Sequence, residues 1–246
     1  MKRIIFTLTV LSVFISSCSK DDNKAKKTRL KTYTHDYYAR IPAALDKYTI
    51  EYNSANKISK IIHENNGALY KTTYCVYTAA NKLDSVVTKY TSGGIYAYKV
   101  IWTGNKITRY DDIDLTYNSD GLIDKKIYAD GSYFRNEYIA DSIFLYNKPV
   151  GGSEYLQTRY LLSSSIKNPF LISGFEAEAY FAGNLLYYYN SFNALLPTIE
   201  IKYLGYLNNK DYTFEGDFNG YPLQRNDLTN SIDENRSKET FTYEEF

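Results

Sequence analysis

Only two histidines, His35 and His63, occur in this chain, so any catalytic triad or imidazole-based metal site has to use one of them. His63-Glu64-Asn65-Asn66-Gly67 opens like the metal-binding pattern H-E-x-x-H, but Gly67 stands where the second imidazole must be. Without that ligand a catalytic zinc lacks a donor, and the stretch reads as a strand end followed by a turn. Glu215-Gly216-Asp217-Phe218-Asn219-Gly220 sets out oxygens and a glycine as a calcium loop does. The bidentate Glu such a loop needs at its twelfth place is Asn226 here, which leaves a hairpin turn as the reading. Asp111-Asp112-Ile113-Asp114 could hold a cation or supply an acid–base pair, though solvated acids where a strand begins explain it more simply. No G-x-S-x-G, phosphate loop or dinucleotide glycine fingerprint is present, so no metal and no cofactor is expected.

The thiols are Cys18 and Cys75. Cys75 sits in the apolar run Tyr74-Cys75-Val76-Tyr77, away from both histidines in sequence, and reads as a small buried hydrophobe rather than a nucleophile. Cys18 has a different setting. Lys2 and Arg3 precede the nearly continuous apolar run 4–15, and small Ser16 and Ser17 lead into Cys18. That order is the order of a secretory signal, and the run is too short to span a bilayer. Ile15-Ser16-Ser17-Cys18 resembles a lipobox, which implies cleavage before Cys18, its acylation, and a signal peptide over 1–17. Cys18-Ser19-Lys20-Asp21-Asp22-Asn23 also resembles the acidic tag that carries Bacteroidota lipoproteins to the outer face of the outer membrane. Several acyl chains, at roughly 0.8 kcal/mol per buried methylene, hold a protein at a membrane without help from its fold.

Composition narrows the classes further. Removing Lys2 and Arg3 leaves 27 basic residues of the original 29 against 28 acidic ones, a net charge of −1. A nucleic-acid partner would need a basic patch, so none is expected. The basic run from Lys24 to Arg29 lies in what reads as a polar tether, residues 18–44, and 45–246 reads as one globular domain. The chain holds 28 Tyr against one Trp and one Met. Tyr suits a pleated, half-wet surface, where its ring packs and its hydroxyl reaches water.

A repeat supplies the organisation. Tyr48-Thr49-Ile50-Glu51-Tyr52 leads to Asn56-Lys57-Ile58, and Tyr74-Cys75-Val76-Tyr77 leads to Asn81-Lys82-Leu83. Tyr98 to Trp102 leads to Asn105-Lys106-Ile107, Ile113 to Tyr117 leads to Asp120-Gly121-Leu122, and Tyr212-Thr213-Phe214 leads to Asn219-Gly220-Tyr221-Pro222. Alternation puts Tyr48, Ile50 and Tyr52 on one face of a strand, and Asn, Asp or Gly turns the chain back. Asn66-Gly67, Gly93-Gly94 and Asp130-Gly131 serve as turns between hairpins. The expected fold is all-β: a single antiparallel up-and-down meander, as a curved open sheet or barrel-like. One segment departs from the strand pattern, since Phe175, Ala179, Ala182 and Leu186 make a helical stripe and predict one short helix over 174–188.

These units resemble tyrosine-aspartate (RHS-type) repeats, most clearly in Tyr117-Asn118-Ser119-Asp120-Gly121-Leu122. With Asn168-Pro169-Phe170, Leu196-Pro197-Thr198-Ile199 and Asn219-Gly220-Tyr221-Pro222, the overall plan resembles Bacteroidota surface lipoproteins of unknown function with a porin-like β fold. The resemblance implies a lipid-anchored outer-membrane protein facing the cell exterior and carries over no catalytic residue. A transmembrane barrel is not expected, because the alternate places leading to Phe246 are Glu244, Thr242 and Thr240. The reading is a surface lipoprotein with a non-catalytic binding or structural role, toward a glycan or a partner protein. Trp102 and Tyr187-Tyr188-Tyr189 are its candidate stacking residues. The alternative is a hydrolase of surface polysaccharide, built on carboxylates such as Asp111 and Asp114.

Overall fold

A computed structural model describes residues 27–38, 42–169, 195–202, 210–228 and 237–246. Among them are sixteen strands and no helix. In chain order they are β1 Thr28–Tyr37, β2 Ala44–Tyr52, β3 Ile58–Asn65, β4 Ala68–Tyr77, β5 Leu83–Tyr90, β6 Ile95–Thr103, β7 Lys106–Tyr110 and β8 Ile113–Tyr117. They continue with β9 Ile123–Ile127, β10 Tyr133–Ile139, β11 Ser142–Lys148, β12 Tyr155–Lys167, β13 Leu195–Lys202, β14 Lys210–Phe218, β15 Tyr221–Asp227 and β16 Lys238–Glu245. Each strand pairs antiparallel with the next, and β1 pairs with β16, so the meander closes into a barrel.

The repeat is legible in the turns that join the strands. Asn53 Oδ1 accepts from the amides of Ala55 (3.0 Å) and Lys57 (2.9 Å), and Asn118 Oδ1 accepts from those of Asp120 (3.1 Å) and Leu122 (2.9 Å). A side-chain carbonyl thus stands in for the missing strand partner, and the chain reverses at a left-handed residue: Asn56, Asn81 or Gly121. At the other end of the strands, Asn66 and Gly67 adopt φ 49° and 78°, the pair of positive values that a two-residue hairpin turn needs.

Lys27 and Phe246, the first and last described residues, meet at the end of the barrel that carries the 53–57, 78–82 and 118–122 turns. There Lys27 N–H donates to the Phe246 carbonyl (3.2 Å) and Phe246 N–H to that of Lys27 (2.9 Å). This is termed the lower end, and the end with the 66–67 and 91–94 turns the upper end. Thr28–Tyr37, read from the sequence as tether, is strand β1 and closes the barrel. Its alternation is masked by a bulge between Leu30 and Thr32 and by Thr, His and Asp at its pleat positions. The segment 174–188 and residues 1–26, including Cys18, lie outside the described residues.

The lower interior is filled. Leu30, Ile58, Leu83, Val86, Ile107, Ile123 and Phe241 are almost wholly inaccessible and belong to one apolar cluster drawn from strands around the wall. Side chains lining a water channel would stay accessible, and these do not. Burying each contributes about 1.5–3 kcal/mol. Ile143, Leu145 and Tyr160 make a second, smaller cluster under β11 and β12. Near its end β12 also reaches past β13: Lys167 N–H donates to the Gly220 carbonyl (2.9 Å) and Lys167 Nζ to that of Asn219 (2.7 Å).

Between the buried positions, the wall carries charges. Lys60 meets Glu51 (2.7 Å), Lys47 meets Glu64 (3.4 Å), Arg29 meets Glu244 (2.7 Å) and Arg135 meets Glu154 (2.7 Å). Lys99 pairs with Asp84 in the same way. Exposed Leu45, Tyr74, Val76 and Ile101 stand among these pairs, so the outward face is mixed, with charges interrupting any apolar band of the kind a membrane barrel presents.

Candidate functional site

The lower end holds aromatic residues in a repeated structural duty. Tyr52 donates its hydroxyl to the Leu30 carbonyl (2.5 Å), Tyr77 to Ile58 (2.8 Å), Tyr117 to Ile107 (2.6 Å), Tyr138 to Ile123 (2.9 Å) and Tyr243 to Pro222 (2.6 Å). In the β5–β6 hairpin Trp102 takes this place, with Nε1–H on the Leu83 carbonyl (2.7 Å) and Lys82 Nζ 5.3 Å from its ring centre. In six strand pairs an aromatic at or near the end of the second strand therefore ties down a carbonyl of the first. Tyr187, Tyr188 and Tyr189 lie outside the described residues.

Above the apolar core, the inward positions change character. Tyr33, His35 and Tyr37 of β1 share the pleat face of buried Leu30 after the bulge, and Asp46 of β2 stands opposite His35. Glu239 of β16 is buried and gathers the hydroxyl of Tyr33 (3.1 Å) and Arg225 Nη2 (2.6 Å), with His35 Nδ1 at 4.0 Å. Lys210 Nζ lies 3.0 Å from buried Asp227, and Tyr212 donates to Glu200 (3.0 Å). Burial pushes the Tyr33 hydroxyl far above its usual range, and the nearby Glu239 charge adds to that. His35 is pushed below its ordinary value by burial, which outweighs the attraction of Glu239. Both shifts mean that the Glu239 carboxylate faces a neutral phenol and a neutral imidazole, leaving Arg225 as its counter-charge.

Next to this cluster stands an aspartate–histidine pair. His63 Nε2 lies 2.8 Å from Asp46 Oδ1, which also accepts from Asn65 Nδ2 (2.8 Å). Burial works to raise the Asp46 carboxyl, but these hydrogen bonds more than offset it and hold it below the usual range. The imidazole stacks on Tyr48, with ring centres 4.2 Å apart, and meets the edge of Tyr70 at 5.2 Å. Tyr70 is the extra residue of a bulge between β3 and β4, and from it a row of edge-to-face rings continues through Tyr90 (5.4 Å) to Tyr96 (5.6 Å). Tyr70 and Tyr96 are about half exposed. Lys71, buried opposite His63 on β4, carries its ammonium 5.6 Å from the Tyr90 ring centre. Burial lowers that amine below its ordinary value, with Asp46 acting in the other direction.

In chemical terms, this end offers flat apolar faces beside fixed donors and acceptors. That combination suits a ligand that is polar around its edge and apolar on its face. Among the described residues, no hydroxyl or thiol is bonded to His63, and no three or more metal-ligating side chains cluster. Asp111 turns the chain at φ 53°, and Asp114, in β8, is exposed with Arg109 of β7 3.7 Å away, so both acids are solvated. The calcium-like stretch is the β14–β15 hairpin, where Asp217 Oδ1 accepts from the Gly220 amide (2.8 Å). Cys75 is buried in β4.

From the sequence, His35 and His63 were visible only as the two available imidazoles. Asp46, Lys71, Arg225 and Glu239 gave no signal, because an inward charge in an alternating strand looks like an outward one. The ring row had a trace in the tyrosines beside the Asn66-Gly67 and Gly93-Gly94 turns.

No family model matches this chain, and no curated protein sequence matches it. Among solved structures, a porin-like protein from Bacteroides uniformis is similar with a TM-score of 0.57, over 89% of this chain and 99% of that one, at 15% identity. At that identity the likeness is one of fold, and the fold is a porin-like all-β barrel.

Proposed function

We propose that the protein is a lipid-anchored binding protein of the outer membrane, its barrel standing in water at the cell surface and taking a glycan at its upper end. The observation that carries this reading is the placement of the ring row Tyr70, Tyr90 and Tyr96 at the end opposite Lys27 and Phe246. An acyl group on Cys18, a short way before Lys27, would hold the lower end at the membrane and point the rings outward. The ion pairs spread over the wall support a barrel outside the lipid, and sugar rings present the apolar face and polar rim that the site suits.

The test is calorimetric titration of the lipid-anchored protein, held in detergent micelles, against a panel of neutral and acidic oligosaccharides. Replacing both Tyr90 and Tyr96 by Ala is expected to weaken binding by roughly tenfold or more, given about 0.5–1.5 kcal/mol for each ring contact. Failure of every glycan to bind, or binding unaffected by the double replacement, contradicts the proposal. New reducing ends in the mixture would indicate a hydrolase instead.

A further inference from the structure

Resting on the glycan reading above, we infer that the upper end of β2–β6 is built for an acidic sugar: a six-membered ring lying against Tyr70, Tyr90 and Tyr96 and bearing a carboxylate that pairs with Lys71 beside His63.

Lys71 is the observation that separates an acidic ligand from a neutral one. Its stem is buried, at 4% exposure. Its ammonium makes no hydrogen bond or ion pair among the described residues, and the ring of Tyr90 is what it faces. Two other cations of the upper interior have counter-charges, Arg225 with Glu239 and Lys210 with Asp227, while buried Lys126 lies lower, opposite core residue Leu115 and away from the ring row. The one acid close enough to influence Lys71 is Asp46, whose Oδ1 already accepts from His63 and Asn65. Enclosing an ammonium without a paired anion is costly, and an arriving carboxylate removes that cost by forming a charge-assisted contact.

His63 is the second and independent observation. It is 7% exposed, and its Nδ1 is buried with no hydrogen-bond partner. Asp46 is held ionised, so it can only accept, and Nε2 must carry the proton between them. An unpartnered ring nitrogen directly opposite a cation on the paired strand fits a sugar hydroxyl adjacent to a ring carboxylate, since a hydroxyl can donate or accept. The remaining inward groups here are Asn65 on β3, Thr73 on β4, Thr88 on β5 and the tyrosines. Thr73 and Thr88 bond each other (3.0 Å), so they bring no competing charge.

The experiment compares three ligands on the wild-type lipoprotein by calorimetry: uronic-acid trisaccharides of gluco, galacto and manno configuration, the methyl esters of the same sugars, and their neutral parent trisaccharides. At least one free acid is expected to bind roughly tenfold or more tightly than its own ester, the gap narrowing in 0.5 M salt. Lys71→Met is expected to close the gap, weakening the free acid by roughly tenfold more than it weakens the ester. Acid and ester binding equally well, or only the neutral sugars binding, overturns the acidic-sugar inference and leaves the glycan reading standing. Absence of binding by all three classes overturns both. Should Lys71→Met fail to fold, the acid–ester comparison on the wild-type protein still decides.

Discussion

The two halves of the barrel interior are built from the same strands and yet are held together by different physics. In the lower half, inward positions are Leu30, Ile58, Leu83, Val86, Ile107 and Phe241, almost wholly inaccessible, and in six hairpins an aromatic fastens a carbonyl of the neighbouring strand. In the upper half, inward positions are Tyr33, His35, Asp46, His63, Lys71, Arg225 and Glu239, buried charges and rings whose desolvation has to be compensated group by group. The lower half gains from burial, whereas the upper half keeps polar groups where apolar ones would pack as well. That contrast is the ground on which a binding site is proposed at the upper end.

The largest expected effect lies in the lower half. Phe241→Ala removes a fully buried ring from the closing strand β16 and should cost about 3–5 kcal/mol in urea unfolding, a large part of a domain's margin. A loss under 1 kcal/mol would mean that the lower interior is not packed as described.

In the upper half, a single truncation and a matched pair should behave differently. Glu239→Ala strands Arg225, 2.6 Å away and equally buried, and should cost about 3 kcal/mol or more. The double replacement Arg225→Met with Glu239→Leu should be less damaging than that single change. If instead the two losses simply add, the pair is not acting as a buried ion pair.

Acid should weaken the protein through His35. Its folded value lies below the 6.5 of the free side chain, so between those two values the unfolded chain binds more protons. Its contribution is complete above about pH 6.5 and is lost as pH falls through that window, by at most about 1.4 kcal/mol per pH unit. Urea midpoints for the wild type and His35→Phe should diverge on acidification, the variant falling less steeply. Parallel curves would contradict a buried neutral imidazole.

The smallest effect is that of an aromatic tie. Tyr77→Phe keeps the ring and strands the Ile58 carbonyl, which should cost about 1 kcal/mol. Tyr96→Phe at the upper end, where the ring is about half exposed, should leave the melting temperature unchanged.

Local structure was readable from the chain, since Tyr48-Ile50-Tyr52 alternates and Asn56, Asn81 and Gly121 mark left-handed turns. The meander followed from those units. Closure did not, because β1 meets β16 across most of the chain, and no local pattern records which edges pair. Bulged β1, with Thr, His and Asp at its upper places, resembles a polar tether unless its partner is known. The site was hidden for a related reason: Asp46, Lys71 and Glu239 have the residue types of a solvated face, and only closure of the sheet turns them inward. Trp102, singled out as a candidate stacking residue, lies among the carbonyl ties at the lower end.

The most direct test concerns where the barrel stands. A lipid-free form spanning residues 19–246, prepared without detergent, is expected to sediment as a folded monomer, melt cooperatively with a β-sheet spectrum, and stay out of phospholipid vesicles. A protein that aggregates in plain buffer and acquires its strands only on insertion into lipid would contradict a water-facing barrel, and with it the assignment of the upper end as an exposed binding site.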